Sequence, residues 1–544
     1  MQINSVLIVG GGSSGWMTAA ALVRQLPQLK ITLVEAPGIP TIGVGESTIG
    51  HINSYMNAVG LKDEDWMKNC NATYKTSIKF TNFRDNPGEI GKHTFHYPFG
   101  VIDITDKDEG PMEWFLHNQI DPDNWPEETM AEYYHPHVIM ADHNKMTNND
   151  EFQIRGFNFQ YDTAYHMDAA LFGEYLKNDV CIPEGVTHIV DTVLDAEVAE
   201  DGSLANIVTE NNGKLTADLY IDCTGFKSIL LEGKMKSEFV SFKDTLLNDR
   251  AIATIIPYLD RENEMTSATN CTAIDAGWVW NIPLWNRIGT GYVYSSDFAT
   301  EEEAEEQFRK HLAGEYMDFQ GDKEALKKRA EEAEFRHIKI KHGCHREAWV
   351  KNVVGIGLAN GFIEPLESTG LMLTHEGIMR LIDTLHNRKC FVTGYDREAF
   401  NFAVFDEVIG FKDFISMHYT LTRRNDTPYW KHITEGGIKW SPEMANSIPK
   451  LRNIYMDVAG RTLNSRVYDL DMGGMLYIVA GQGYKPMNDR YMKDKNDRYN
   501  RRKQWKQEES AHLWFDYKEN VLMPMIDSLP THYEYLKINI HTEE

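Results

Sequence analysis

The chain has 544 residues, of which 42% are apolar and 25% charged, and carries a formal net charge of −26. The length accommodates roughly two to four domains or one large domain with a cap, each able to bury a core. So acidic a surface excludes nucleic acid and anionic membranes as partners, because both are polyanions.

Six widely spaced cysteines (Cys70, Cys181, Cys223, Cys271, Cys344 and Cys390) contain no CxxC pair and read as reduced thiols. The apolar run Ser5–Val9 is too short for the core of a signal peptide and leads directly into glycines. No apolar stretch approaches the roughly 20 residues that span a bilayer. The expectation is a cytoplasmic protein with no membrane partner.

In chain order, Val6–Val9 predicts a parallel strand buried on both faces. Gly10-Gly11-Gly12-Ser13-Ser14-Gly15 follows at once and fits G-x-G-x-x-G. Met17–Leu26 predicts an amphipathic helix, and Lys30–Glu35 a second strand ending in an acid. Gly10, Gly12 and Gly15 allow a tight turn and close backbone approach, with Ser13 and Ser14 at the helix start that receives a pyrophosphate. Glu35 is placed to accept hydrogen bonds from ribose hydroxyls. The strand, helix and terminal acid together make this a dinucleotide site. Asp218–Phe226 predicts another strand ending in a Thr-Gly turn, and a second fingerprint for a nicotinamide cofactor is not visible.

An acidic segment at about 100–150, with prolines and asparagines, predicts a loop-rich insertion. Ala251–Tyr258 and Gly277–Tyr294 are β-rich, and Thr300–Arg309 and Asp322–Phe335 predict charged surface helices. The strand pattern fades near residue 396. The expected division is therefore a module over 1–395 and a mainly helical cap over 396–544.

Three further segments resemble one family. Gly277-Trp278-Val279-Trp280-Asn281-Ile282-Pro283 is similar to the GWxWxIP motif of flavin-dependent halogenases of the tryptophan/indole type. Phe362-Ile363-Glu364-Pro365-Leu366-Glu367-Ser368-Thr369-Gly370 resembles their active-site strip, and Ile42-Gly43-Val44-Gly45-Glu46-Ser47-Thr48 their flavin-contacting strap. Tyr165-His166-Met167-Asp168 and His418-Tyr419 match further landmarks. The resemblance implies an α/β fold: a flavin-monooxygenase-like FAD-binding module with an additional mixed sheet and a helical C-terminal cap.

It also implies the chemistry. Reduced FAD and dioxygen would oxidise a halide ion to hypohalous acid, which would act on an electron-rich aromatic small molecule. A separate NAD(P)H-dependent reductase would supply the reduced flavin, and a homo-oligomer is compatible with the family. FAD would be held by the Gly10–Gly15 loop, Glu35, the strap residues Gly43, Val44, Gly45, Glu46 and Ser47, and by Leu358 and Gly370. The amides of Thr369 and Gly370 would hold halide. The catalytic set would be Lys79, Glu367 and Ser368. A desolvated lysine can form a haloamine when neutral, or polarise hypohalous acid when protonated. Glu367 would stabilise the arene cation and remove its proton, and Ser368 would couple the flavin and substrate sides. Trp278 and Trp280 would keep the organic substrate from the flavin, and Tyr97, Pro98 and Phe99 would sandwich the aromatic ring.

Two segments depart from the family pattern. Tyr97 stands where the family has histidine. Ser465–Gly474, ahead of Ala480-Gly481-Gln482-Gly483, lacks the Glu, Phe-Trp and Asn-Tyr-Tyr arrangement of free-tryptophan halogenases. Indoles and other small electron-rich arenes are therefore expected to be better substrates than free tryptophan. The competing readings are a flavin monooxygenase that hydroxylates or epoxidises, and a non-catalytic FAD-binding redox protein. His135, His137 and His143 lack the HExxH spacing and read as loop histidines, not as a metal site. Cys344-His345 point to opposite sides of a strand, and the basic Arg498–Lys506 segment reads as a solvated helix face.

Overall fold

A computed structural model describes the chain except for residues 39–44, 89–92, 101–113, 115–117, 119–122, 127–128, 152–153, 317–320, 443, 446–471, 485–511 and 543–544. By internal contact the chain divides into two interleaved units. The first comprises Met1–Thr73, Ala164–Asp249 and Lys339–Phe411; the second comprises Tyr74–Thr163, Arg250–Ile338 and Lys412–Glu544. This partition differs from the expected contiguous boundary at 395/396, which falls inside the helix Gly394–Thr420. Strand pairing between segments distant in sequence is what interleaves them, and strand order cannot be read from composition.

In the first unit a six-stranded sheet runs in the order Trp349–Val350, Val353–Gly355, Leu219–Asp222, Ser5–Val9, Lys30–Glu35, Thr187–Val190. Ser5–Val9 pairs in parallel with both Leu219–Asp222 and Lys30–Glu35, as its continuous burial required. The helix Ser13–Gln25 follows the first strand and buries Trp16, Met17, Ala19, Ala20, Ala21 and Leu22. One side of this unit's core gathers Leu7, Val9, Val34, Ile207, Tyr220 and Val353. Each such side chain, fully buried, contributes on the order of 1.5–3 kcal/mol.

The second unit is built on a mixed seven-stranded sheet. Its order is Arg336–Lys339, Arg250–Ile256, Ile288–Tyr294, Gly277–Pro283, Ala268–Ile274, Ser77–Thr81, Thr94–Pro98. From Arg250–Ile256 to Thr94–Pro98 neighbouring strands are antiparallel except Ala268–Ile274 with Ser77–Thr81, where Asn270 lies opposite Lys79. The predicted surface helices form as Glu301–Leu312 and Lys323–Glu332. Thr300 and Glu303 complete a reciprocal capping box at the first of these, satisfying two amides that would otherwise lack partners. Thr129–Tyr134 and His137–Asp142 are helical within the expected insertion. Ile139, Met140, Ile154 and Phe157 pack with Leu522, Ile526 and Leu529 near the C-terminus. The described residues after 420 are predominantly helical.

Candidate active site

The glycine loop shows why each of its small residues is needed. Gly10 has φ +112°, and a Cβ there would collide with the Cys223 carbonyl oxygen. A Cβ on Gly15 would collide with the Gly10 carbonyl. Around Gly12 the space is open to 4 Å, at the N-cap of Ser13–Gln25. That combination of a tight cradle and an open helix mouth fits a pyrophosphate. Gly357, at φ +65°, packs on the Ser14 side chain, which joins the segment before Leu358 to the same loop. Glu35 ends its strand as expected and accepts from His188 Nε2 at 2.7 Å and Lys177 Nζ at 3.2 Å. These two contacts fix the orientation of a carboxylate suited to ribose hydroxyls. FAD therefore fits the donors of this unit.

Of the strap, Gly43 and Val44 lie outside the described residues. Gly45 has φ +101°, a conformation that glycine adopts without strain. Glu46 and Ser47 form a short strand paired with Met167 and His166. Burial raises the Glu46 carboxyl to about 7, with the Asp168 charge adding to it. Its Oε2 lies 3.6 Å from where a Cβ on Gly370 would sit. Ser47 Oγ accepts from Ser368 Oγ at 3.1 Å. Ser368 reaches it from a left-handed conformation, φ +58°, which is costly for a residue with a side chain.

The active-site strip ends in the helix Gly370–Asn387, with Thr369 as N-cap. Thr369 Oγ1 is buried and makes no hydrogen bond among the described residues. First-turn amides of a helix have no intrahelical partner, so this mouth has the donors for a small anion. The structure separates the two acids of the strip. Glu364 is tied into the core, accepting from Asn248 Nδ2 at 2.8 Å. Glu367 is 3% exposed and comes immediately before the strained serine.

In the second unit, Trp278 is completely buried and Trp280 half-buried, their rings 6.3 Å apart and steeply inclined. Gly291, opposite Trp280 in the hairpin, has no side chain to displace that indole. Pro98 and Phe99 are buried, and Tyr97 packs edge-on against Phe414 at 5.9 Å.

Lys79 does not have the apolar surroundings expected of it. It is 29% exposed, and its Nζ contacts Asp142 Oδ1 at 2.6 Å. Burial alone would raise the Asp142 acid, but His96 and Lys79 together hold it below the ordinary carboxylate range. A lysine committed to such an ion pair is part of the sheet's outer polar network. Four residues earlier, Lys75 has no exposed surface, and its Nζ lies 4.9 Å from the centroid of the Phe99 ring. Lys75 ends the fully buried strand Thr73–Lys75, before the separate strand Ser77–Thr81. Alternation gives Lys75 and Lys79 the same parity, so periodicity could not rank them. The break in the strand at Thr76 and the partnership with Asp142 are tertiary facts.

The nucleotide cradle of the first unit, with the comparisons that follow, makes this chain a flavin-dependent halogenase. The tryptophan halogenase family profile matches residues 5–496, and the chain belongs to that family. The 7-chloro-L-tryptophan 6-halogenase KtzR of a Kutzneria species is 33% identical over 98% of both chains. The crystal structure of the tryptophan 6-halogenase SttH from Streptomyces toxytricini superposes with a TM-score of 0.82 at 30% identity, covering 98% of this chain and 99% of that one. The apo structure of VirX1 gives 0.85 at 41% identity over 99% of both.

Among the described residues, no helix is long and apolar enough to cross a membrane. The six cysteines are all unbridged and buried, as the spacing suggested. Ser465–Asp471 and the basic Arg498–Lys506 segment lie outside the described residues.

Proposed function

We propose that the protein uses FAD in its reduced form, dioxygen and a halide ion to halogenate a small electron-rich arene, with Lys75 rather than Lys79 directing the halogen. The observation that carries this reading is the Lys75 ammonium, withdrawn from water against the Phe99 ring. Bound reduced FAD with dioxygen supplies the oxidation: halide, dioxygen, reduced FAD and a proton become hypohalous acid, oxidised FAD and water. Hypohalous acid and the arene then give haloarene and water.

The residues divide the remaining work. Gly10, Gly12, Ser13, Ser14, Gly15, Glu35 and the strap hold the dinucleotide. Thr369 Oγ1 and the amides of Thr369 and Gly370 receive the halide, and a Glu46 carboxyl that is half-protonated near neutral pH tolerates an anion beside it. Ser368 ties that segment to the strap through Ser47. Lys75 hydrogen-bonds and polarises hypohalous acid. Glu367 stabilises the cation formed on the ring and accepts its proton. Tyr97, Pro98 and Phe99 flank the arene, and Trp278 and Trp280 belong to the same sheet. A separate reductase delivers the reduced flavin, consistent with a single nucleotide fingerprint.

The test is incubation with FAD, a flavin reductase, NADH, oxygen, bromide and indole, with mass spectrometry of the product and a free-hypobromite control. Monobrominated indole is expected from the wild type and from Lys79→Ala, and is expected to disappear in Lys75→Ala. Oxygenated product independent of bromide would establish a monooxygenase instead. Bromination surviving in Lys75→Ala but lost in Lys79→Ala would restore the role to Lys79. Efficient halogenation of free tryptophan with poor turnover of indole would overturn the substrate preference.

A further inference from the structure

We propose that halide enters the Thr369–Gly370 mouth together with a proton held on Glu46, so that this acid loads the anion and the proton of the reaction as a pair. The inference rests on the reading that this mouth receives the halide.

Strand pairing brings Glu46 to the mouth. Glu46–Ser47 runs antiparallel to Ala164–Met167, with Glu46 opposite Met167 and Ser47 opposite His166. Ser368 Oγ donates to Ser47 Oγ at 3.1 Å, which ties the strap to the strip just before the helix Gly370–Asn387. Glu46 Oε2 lies 3.6 Å from the position that a Cβ on Gly370 would take. A carboxylate there is on the order of 4–6 Å from an anion on the first-turn amides, the range in which like charges disfavour one another. Thr369 Oγ1 adds a side-chain donor to the mouth: the residue is 1% exposed, and this hydroxyl makes no hydrogen bond among the described residues.

Asp168 decides which acid keeps the proton. It directly follows the residue opposite Glu46 and caps the helix Ala169–Tyr175, accepting from the amides of Ala170 at 3.0 Å and Leu171 at 3.2 Å. Amide donors at a helix N-terminus stabilise a carboxylate, so the negative charge settles on Asp168. The Glu46 carboxyl has no hydrogen bond or ion pair among the described residues. Of two neighbouring acids, the one left unsatisfied holds its proton longer. Burial, and after it the Asp168 charge, raises Glu46 to about 7.

The elements packed on the strap carry few other titratable groups. On the paired strand His166 places its Nδ1 3.3 Å from Thr73 Oγ1. On the helix Gly370–Asn387, His375 Nδ1 lies 3.4 Å from Glu376 Oε1. Burial holds His375 below its ordinary value; burial opposes ionisation of Glu376, but His375 keeps that carboxyl low. Above pH 6.5 the first is neutral and the second charged, and Glu46 is the acid that titrates at the mouth. Oxidation of halide to hypohalous acid consumes one proton per halide, so a proton bound with the anion meets the demand of the reaction. The linkage is reciprocal: a protonated Glu46 tightens halide binding, and bound halide keeps the proton on Glu46.

The experiment titrates bromide into the protein loaded with oxidised FAD at pH 6, 7 and 8, by calorimetry in two buffers of different ionisation heat. Wild type is expected to bind bromide about tenfold more weakly at pH 8 than at pH 6, because only the protonated fraction is competent. The two buffers should reveal uptake of about 0.9 proton per bromide at pH 8 and about 0.1 at pH 6. Glu46→Gln, a neutral isostere, should bind at both values as wild type does at pH 6 and take up no proton. The wild-type readouts need no substitution, so they decide the matter even where a variant fails to fold. A wild-type change under about twofold overturns the coupling, as does full pH dependence persisting in folded Glu46→Gln. Thr369→Val tests the mouth itself and should weaken bromide about tenfold at every pH. Equal binding in that variant, or no saturable binding to wild type, overturns the site reading and this inference with it. Weakened binding in Thr369→Val beside a wild type indifferent to pH overturns the coupling alone.

Discussion

The two units carry their chemistry in different ways. In the first, the reactive groups come from contiguous motifs: one glycine loop, one strap and one strip leading into a helix. In the second the proposed ones come from separated positions, with Lys75 on a strand end and Phe99 after another strand. The difference follows from what each must bind. A dinucleotide is recognised largely through backbone amides and glycine geometry, which a short motif can encode. A small arene is recognised by side chains converging from distant segments, and no local spacing encodes convergence.

The largest test of this contrast sets one lysine against the other. Lys75→Ala is expected to reduce bromination on the order of 10²–10³-fold, as when a group acting directly on the reacting atoms is lost. Lys79→Ala, which removes an exposed ion pair worth roughly 0–1 kcal/mol, should stay within about threefold of wild type. Product rates by mass spectrometry decide between them. A dead Lys79→Ala beside an active Lys75→Ala would reverse the assignment.

The strip in the first unit gives the next effect. Glu367→Gln should slow halogenation by about 10²-fold with little change in melting temperature. Glu364→Gln should leave the catalytic step and lower stability by about 1–3 kcal/mol, because its tie to Asn248 is altered in a dry setting. Rate and melting measured on both variants would expose an exchange of roles. Smaller again, Gly10→Ala should weaken FAD binding by about tenfold or more, since a one-ångström misplacement of a site is costly. Titration of oxidised FAD by fluorescence would show it, and unaltered affinity would remove Gly10 from the cradle.

Buried histidines and the buried Glu46 should respond to pH with opposite signs, and His342, His345 and His375 in the first unit are pushed down by burial as well. His135, His311 and His532 in the second unit are pushed by burial to about 3, 4 and 4. Below their unfolded value near 6.5 the unfolded chain binds protons that the folded one refuses, so stability falls as pH drops from about 6.5 towards 4. Asp162, raised by burial to about 6, offsets one of these. Glu46 in the first unit is raised to about 7, so its contribution is complete below about 4.5 and is lost as pH rises through 7. Hydrogen exchange at pH 5 and pH 8 should show the segments around His135, His311 and His532 loosening in acid and Glu46–Ser47 loosening in base. A uniform response would remove this distinction.

Much of the first unit was legible because its signals are local. The strand and helix around Gly10–Gly15 stand where the sequence put them, and so does Glu35. The helices after Thr300 and Asp322 formed because their caps are written into the sequence. The interleaving of units was not legible, since Ser77–Thr81 finds Ala268–Ile274 only in three dimensions. The different surroundings of Lys75 and Lys79 were not legible for the same reason. The sequence offers two lysines of equal parity, and the break at Thr76 that separates their surroundings depends on which sheet each strand joins. His135 and His137 looked like a loop pair because proline and polarity mark a turn, and burial of a turn depends on what packs over it.

The sequence by itself thus determined the dinucleotide loop and the capped helices, because glycine turns and caps act through the backbone next to them, and its resemblance to the halogenase family carried the reaction class. Only the tertiary structure decided which lysine is dry, which glutamate is tied down and which histidines are buried. Desolvation and side-chain partnership are properties of the neighbours, and the neighbours come from elsewhere in the chain.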